Sequence, residues 1–250
     1  MIQILLSGCN GNMGKTIRSL VEETNDVKIV AGFDHDDSPS CPFPVYTKTE
    51  EIKEKIDVII DFSHYSAFES ISEFAKKQRI PLVMATTGLT DENERKLAKM
   101  AEDLPIFRTA NMSIGVNVIL GLVAQAAKTL EDFDIEIIEK HHNKKVDSPS
   151  GTALMLANAV NETMDDPYTF TYGREGTSTK RSKKELGIHA VRGGTIAGEH
   201  TVLYAGDDEN IEIKHSATSK KVFAKGAVAA AIFLSKQNNG LYDMKKMLGL

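Results

Sequence analysis

The sequence predicts an α/β protein: a Rossmann-like doubly wound parallel sheet plus a second α+β domain with an open mixed sheet. Three observations carry this. The first half alternates short apolar strands with helical patterns, which argues for parallel strands joined by crossover helices. A glycine turn, Gly8, Gly11 and Gly14, follows the first strand and opens the first helix, the setting of a dinucleotide fingerprint. The second half runs instead through successive strand-like segments between residues 187 and 215, which points to an antiparallel or mixed sheet.

In chain order, residues 2–6 are apolar apart from Gln3 and read as a buried strand. In the turn that follows, Asn10 stands where the commoner fingerprint has its second glycine. Gly8 makes the turn, Gly11 admits a pyrophosphate to the backbone, and Gly14 lets the next helix, residues 15–23, pack closely. A second strand, residues 27–33, ends at Asp34, 20 residues beyond Gly14. An acid at that place accepts hydrogen bonds from the adenosine ribose and repels a 2′-phosphate; a protonated His35 would offset part of that repulsion. The plainer alternative is a solvated turn over residues 34–37. Residues 38–49 form a Pro- and Ser-rich loop. Strands over residues 56–62, 81–85 and 105–108 then alternate with helices over 66–77 and 91–102. Ligands on such sheets bind outside the carboxyl ends of the strands. The turns at 8–14, Asp34, 85–88 and 109–112 are therefore expected to line one crevice.

Residues 116–130 are a long apolar helix, read as the bridge to a second domain, and residues 135–138 alternate like a strand. The run from Glu139 to Thr152 then gathers Lys140, His141, His142, Lys144 and Lys145 ahead of Pro149, Ser150 and Gly151. It reads as a strand-to-helix crossover leading into a helix over 153–160. Ser150 or Thr152 can cap that helix, and Gly151 lets the backbone approach a ligand. A helix N-terminus beside Lys145 and His142 suits a carboxylate or phosphate. His141 and Lys145 form a candidate acid–base pair: an imidazole titrates near neutrality, and a lysine crowded by cations holds its proton less tightly. The plainer reading is a solvated basic loop. No metal is expected, since adjacent histidines diverge and no cysteine or carboxylate completes a usual ligand set.

Beyond this, residues 172–184 read as a polar loop or mobile segment, and residues 187–194, 199–204 and 210–215 as strands. His189, His200 and His215 read as ordinary sheet or interface histidines; Arg192, Gly193 and Gly194 are candidates to reach the anion pocket, with no local pattern that establishes it. A helix over 219–236 returns the chain to the first domain. The expected division is a dinucleotide-binding domain of residues 1–112 and 221–250, and a substrate-binding and oligomerisation domain of residues 113–220.

Composition narrows the ligand. With 35 acidic and 30 basic residues the formal net charge is −5, a poor balance for nucleic acid, so a local cationic run favours a small anion. Cys9 and Cys41 make no disulfide framework, and a reducing cytoplasm is expected. The N-terminus lacks a basic leader, and no apolar run approaches the ~20 residues that cross a bilayer, so no membrane partner is expected.

These residues together resemble the dihydrodipicolinate reductase family nearly end to end. The most specific segment holds Glu139, His141, His142, Lys145, Val146, Asp147, Pro149, Ser150, Gly151 and Thr152. Supporting it are Gly8, Gly11, Met13 and Gly14, then Thr86, Thr87 and Gly88, the stretch at 110–117, Arg192 to Gly194, Gly198 with Glu199 and His200, and residues 240–244. The resemblance implies NAD(P)H-dependent reduction of 4-hydroxy-tetrahydrodipicolinate, a small cyclic dicarboxylate, to tetrahydrodipicolinate in lysine and diaminopimelate biosynthesis. It implies His141 and Lys145 as catalytic residues, with Lys145 the proton donor, and His142, Ser150, Gly151 and Thr152 as holders of substrate carboxylates. It places the coenzyme on Gly8, Cys9, Asn10, Gly11, Asn12 and Met13, on Asp34 and His35, on Ala85, Thr86 and Thr87, and on Thr109, Ala110, Asn111 and Met112. It also implies a homotetramer built through the mixed sheet. Closing of the two domains is expected to bring the nicotinamide against the substrate and exclude water.

The chain departs from the family where Asn12 and His35 stand in place of frequent arginines, which leans the coenzyme toward NADH with NADPH still open. Ala229 replaces an arginine found in some members, so no role carries over there. Two competing readings remain. Another NAD(P)-dependent dehydrogenase of a small dicarboxylate, such as an aspartate dehydrogenase, shares the glycine turn but leaves residues 139–152 unaccounted for. A non-enzymatic nucleotide-sensing protein needs no acid–base pair.

Overall fold

The apolar run at the N-terminus becomes β1 (Ile2–Ser7), and the alternation that follows becomes α1 (Asn12–Glu22), β2 (Val27–Phe33), β3 (Val45–Tyr46), β4 (Val58–Asp61), α2 (Phe68–Gln78), β5 (Leu82–Met84), α3 (Asp91–Met100) and β6 (Pro105–Arg108). The structure, a computed structural model, describes residues 1–37, 41–165, 167–177 and 180–250. The chain continues as α4 (Ile114–Thr129), β7 (Asp134–His141), α5 (Gly151–Asn161), β8 (Thr169–Tyr172), β9 (Glu185–Arg192), β10 (Gly198–Ala205) and β11 (Asn210–Ala217), and closes with α6 (Lys221–Leu234), β12 (Gly240–Tyr242) and α7 (Met244–Leu248). It divides into two compact units, Met1–Ile114 with Lys220–Leu250, and Gly115–Ser219.

The first unit holds a sheet of order β12-β6-β5-β4-β1-β2-β3, with every pairing parallel. Parallel strands covered on both faces need apolar side chains on both, and Ile4, Leu5 and Leu6 of β1 are all fully buried. Leu6 packs with Ile17 of α1 and Ala227 of α6, whereas Leu5 packs with Ile71 of α2 and Leu97 of α3. The strand order reverses between β1 and β4, which makes their carboxyl ends the switch point where a ligand crevice opens. Gly226 lets α6 rest on the backbone of Met112, whose carbonyl oxygen lies 1.6 Å from where a Cβ would stand.

Several short elements among the described residues went unread in the sequence: β3, a 3-10 turn at Thr49–Glu51, β8, β12 and α7. The expected loop at 38–49 thus contains an edge strand, and residues 38–40 of it lie outside the described residues. The first helix starts at Asn12 rather than at 15, with Gly11 as its N-cap, so Asn12 and Met13 lie in the helix and not in the glycine turn.

The second unit holds a sheet of order β11-β10-β7-β9-β8. β10 runs antiparallel to β7 and β11, while β7 and β8 run parallel to β9, so the sheet is mixed. Its inward face carries Ile135, Ile137, Val202 and Tyr204, packed with Val123 of α4 and Leu156 of α5. Each such side chain contributes about 1.5–3 kcal/mol by burial. The Tyr204 hydroxyl donates to the Val123 carbonyl at 2.6 Å, which satisfies a buried polar group and fixes α4 on the sheet. One expectation needs correction: β7 runs to His141, so Glu139 and His141 are strand residues. Of the stretch at 172–184, Tyr172 ends β8 and the described residues beyond it are a loop, as expected; its arginines tie it to β7, Arg181 pairing with Asp134 at 2.6 Å and Glu136 at 3.0 Å, and Arg174 with Glu136 at 2.6 Å. Residues 178 and 179 of that stretch lie outside the described residues.

Candidate active site

The alternation that puts Ile135 and Ile137 in the core carries on to Glu139 and His141, so two polar side chains enter the same buried face. Glu139 is fully buried. Its Oε2 lies 2.6 Å from His141 Nδ1 and accepts from Arg192 Nη1 at 2.8 Å; its Oε1 accepts from the Ser150 N–H at 3.0 Å and from Arg192 Nη2 at 2.7 Å. Arg192 pairs with His141 in register on β9 and also donates to the Asp147 carbonyl at 2.7 Å. Gly193 N–H donates to the His141 carbonyl at 2.9 Å. The arginine therefore reaches the cationic run, as its position allowed, and braces it through Glu139. Burial alone would raise the Glu139 pKa; the hydrogen bonds from Arg192, His141 and Ser150 outweigh it and hold the carboxyl below its usual range.

Ser150 caps α5, its Oγ accepting from the Ala153 N–H at 3.2 Å. The same Oγ is 2.9 Å from His200 Nε2. His200 faces Glu139 in the β7–β10 register and meets the His141 ring edge-on at 5.1 Å. Burial first, and then the neighbouring His141, push the His200 pKa down to about 4, so this ring is neutral at pH 7. Glu139 and His200, which the sequence offered only as an acid in the cationic run and an ordinary sheet histidine, are thus packed against His141 and Ser150.

The remaining members of the run are turn residues. Lys145 N–H donates to the His142 carbonyl at 3.1 Å. Lys145 Nζ donates to Asp147 Oδ1 at 2.8 Å, so the charge it touches is an anion and not another cation, contrary to the crowding expected. That bond holds the Asp147 carboxyl below its usual range. His141 and Lys145 are each bonded to a separate carboxylate. His142 Nδ1 is shielded from solvent and has no hydrogen-bond partner. Nothing lies within 4 Å of where a Cβ on Gly151 would stand, so the start of α5 is open to an approaching ligand. A helix start presents unpaired N–H groups and partial positive charge, which an anion can use.

In the first unit, Gly8 has φ +77°, and a Cβ there would meet the Phe62 carbonyl oxygen at 2.5 Å. Gly14 presses on the turn itself, with the Gly8 oxygen 2.2 Å from its Cβ position. Cys9 contributes backbone only: its thiol is buried against Gly32, and burial followed by the Asp34 charge pushes its pKa up to about 12. Asp34 Oδ2 accepts from the Asn10 N–H at 2.9 Å and Oδ1 from the His35 N–H at 2.8 Å, so this carboxylate ties the glycine turn to the end of β2. His35, its side chain 93% exposed, sits 2.7 Å from the same carboxylate.

A cavity of about 600 Å³ opens here, lined among others by Gly8, Gly11, Asp34, His35, Ser63 and His64. Buried Asp61, at the end of β4, accepts from Thr86 Oγ1 and from Ser63 Oγ, both at 2.6 Å; burial raises its pKa against those bonds. Arg108 donates to the Thr86 carbonyl at 2.8 Å and clamps Glu94. Ala85 and Thr86 are buried and Thr87 is exposed. Thr109 Oγ1 donates to the Asn111 carbonyl at 3.2 Å, Ala110 is exposed, and Met112 is buried. The strand-end turns are thus fixed by short polar bonds, with Thr87 and Ala110 at their open sides. Asn12 and Met13 form the first turn of α1, and Gly11 supplies no side-chain cap. Its N–H groups remain for an anion. A turn of this shape, an uncapped helix start and an acid at the end of β2 fit a dinucleotide.

Among the described residues no group of three or more His, Cys, Asp or Glu could hold a metal ion, and no helix is long and apolar enough to cross a membrane.

Comparison with known proteins adds to this geometry. The family model for the dihydrodipicolinate reductase N-terminus matches residues 2–112, and that for the C-terminus matches residues 115–248. The 4-hydroxy-tetrahydrodipicolinate reductase of Caldanaerobacter subterraneus subsp. tengcongensis is 49% identical over 248 residues, covering 99% of this chain and 98% of that one. Its counterpart from Clostridium tetani is 46% identical over 249 residues, covering 99% and 97%. Among solved structures, dipicolinate-bound dihydrodipicolinate reductase from Paenisporosarcina sp. TG-14 superposes with a TM-score of 0.83 at 25% identity, over 98% of both chains.

Proposed function

The chain belongs to the dihydrodipicolinate reductase family, and we propose that it catalyses the NAD(P)H-dependent reduction of 4-hydroxy-tetrahydrodipicolinate to tetrahydrodipicolinate in lysine and diaminopimelate biosynthesis. The observation that carries this reading is the turn between β7 and α5. An open helix start, a His142 Nδ1 without a partner, and Lys145 belong to one bonded loop. A dianionic ring needs several fixed donors, and this loop offers them with little rearrangement. Gly151, Thr152, Ser150 and His142 hold the substrate carboxylates. The 4-hydroxyl leaves with a ring proton as water; as hydride adds to the resulting conjugated imine, Lys145 leaves Asp147 to give its proton to the ring being reduced, and His141 orients the substrate or exchanges a proton at its Nε2.

The bound reduced nicotinamide supplies the hydride. Gly8 to Met13 receive its pyrophosphate, Asp34 and His35 its adenosine ribose, and the turns at Ala85 to Thr87 and Thr109 to Met112 its nicotinamide half. Asp34 has acceptor capacity beyond its two backbone donors. Its charge, with Asn12 uncharged in the first turn of α1, favours NADH over NADPH. The unit holding β1 is the dinucleotide-binding domain and the unit holding β7 the substrate-binding one, and the active form is a homotetramer in the cytoplasm.

The test is a coupled assay. The product of the preceding enzyme of the pathway is offered with NADH or NADPH, and absorbance of the reduced coenzyme is followed. Oxidation that depends on that product supports the reading; no oxidation with either coenzyme overturns it.

A further inference from the structure

We propose that Glu139 is a positioning residue for this reduction: it holds His141 as the tautomer protonated on Nδ1 and, through the Ser150 N–H, sets the start of α5 in the same frame. The inference rests on the reading of His141 and α5 as the substrate site. Four donors converge on this one buried carboxylate: His141, Ser150 and both terminal nitrogens of Arg192. A carboxylate has about four acceptor positions, so all of them are filled. Two consequences follow. A 2.6 Å contact with an ionised carboxylate requires a hydrogen on Nδ1, which fixes the tautomer. With no acceptor position open, Glu139 is not itself a proton acceptor, and exchange at His141 runs through Nε2 alone.

The surroundings of Nε2 agree. It lies 3.0 Å from where a Cβ on Gly198 would stand, so the absent side chain on β10 is what gives the ring its place. Ser150 is held twice, its N–H by Glu139 and its Oγ by His200. A single buried group therefore ties the imidazole at the end of β7 to the anion-binding end of α5. A plain internal ion pair between Glu139 and Arg192 would not require bonds to either element.

The test reads the tautomer directly. Wild-type protein labelled with ¹⁵N-histidine is studied by long-range ¹H–¹⁵N correlation near neutral pH, with His141 assigned by comparison with His141→Gln. We expect a proton on Nδ1 of His141. In Glu139→Gln the amide offers one acceptor group and one donor group in place of two acceptors. The single tautomer should then be lost and kcat should fall about 10²-fold or more, with KM for the coenzyme unchanged. Glu139→Asp should restore the Nδ1–H signal and part of kcat. A wild-type His141 protonated on Nε2, or a folded Glu139→Gln with full kcat, overturns the proposal. The tautomer is measured whether or not the chain turns over substrate, so this inference and the reading of function fail separately.

Discussion

Acidification should loosen the second unit through His200, and by an amount the structure bounds. The ring is 4% exposed, and its pKa falls from 6.5 to about 4 on folding. Between those values the unfolded chain takes up a proton that the folded chain refuses. The sign follows: the contribution is intact above pH 6.5 and is lost progressively as pH falls toward 4. At about 1.4 kcal/mol for each tenfold difference in proton affinity, the full loss is about 3 kcal/mol. Glu139, held below its usual range by its donors, loses its contribution only at lower pH, so it scarcely overlaps this window. The perturbation is His200→Gln, which keeps a polar partner for Ser150 and removes the titration. The assay is urea unfolding at a series of pH values, read by pulsed hydrogen exchange in the β10 segment so that the two units are resolved. Wild type should lose about 3 kcal/mol more than the variant between pH 6.5 and 4. Parallel curves for the two proteins across that range would refute the reasoning.

Other perturbations separate the parts of the site. Lys145→Ala should lower kcat by about 10²- to 10⁴-fold while leaving coenzyme affinity intact; unchanged turnover in steady-state assays removes Lys145 from the proton transfer. Asp34→Ala should weaken NADH more than NADPH in fluorescence titrations, with some loss for both because the Asn10 N–H loses its acceptor; equal losses contradict the ribose assignment. Gly151→Ala has room for its methyl group, so its melting temperature should hold while KM for the dicarboxylate rises, and an unchanged KM would mean that substrate does not approach the start of α5.

The parallel sheet was legible because its strands are apolar on both faces and lie between helices of ordinary length, so β1, β2 and β6 follow directly from their residues. The edge strands were not. Val45 and Tyr46 of β3 are two residues just past Pro42 and Pro44, and Thr169 to Tyr172 of β8 are largely solvent-facing. Neither stretch is long enough to show a period. Pairing with β2 and β9 makes them strands, and pairing is not a local property.

The site was half legible for a related reason. Read as a charge run, residues 139–145 suggest a solvated loop in which Glu139 is an incidental acid among cations. Read as a continuation of the alternation through Ile135 and Ile137, the same Glu139 and His141 must face the core. On β10 the alternation of Tyr204 and Val202 likewise leads to His200 and then Gly198. The register sets Tyr204 against Ile135, Val202 against Ile137 and His200 against Glu139. The apolar core of the sheet thus passes, row by row, into a polar one without changing face. A polar row there is tolerable only if its members satisfy one another, which Glu139, Arg192, His141, Ser150 and His200 do for most of their groups. The imidazole and the helix start at the edge of that row inherit the rigidity of the packed sheet beneath them, and a site on this edge is held to a geometry that a solvated loop of the same composition could not keep.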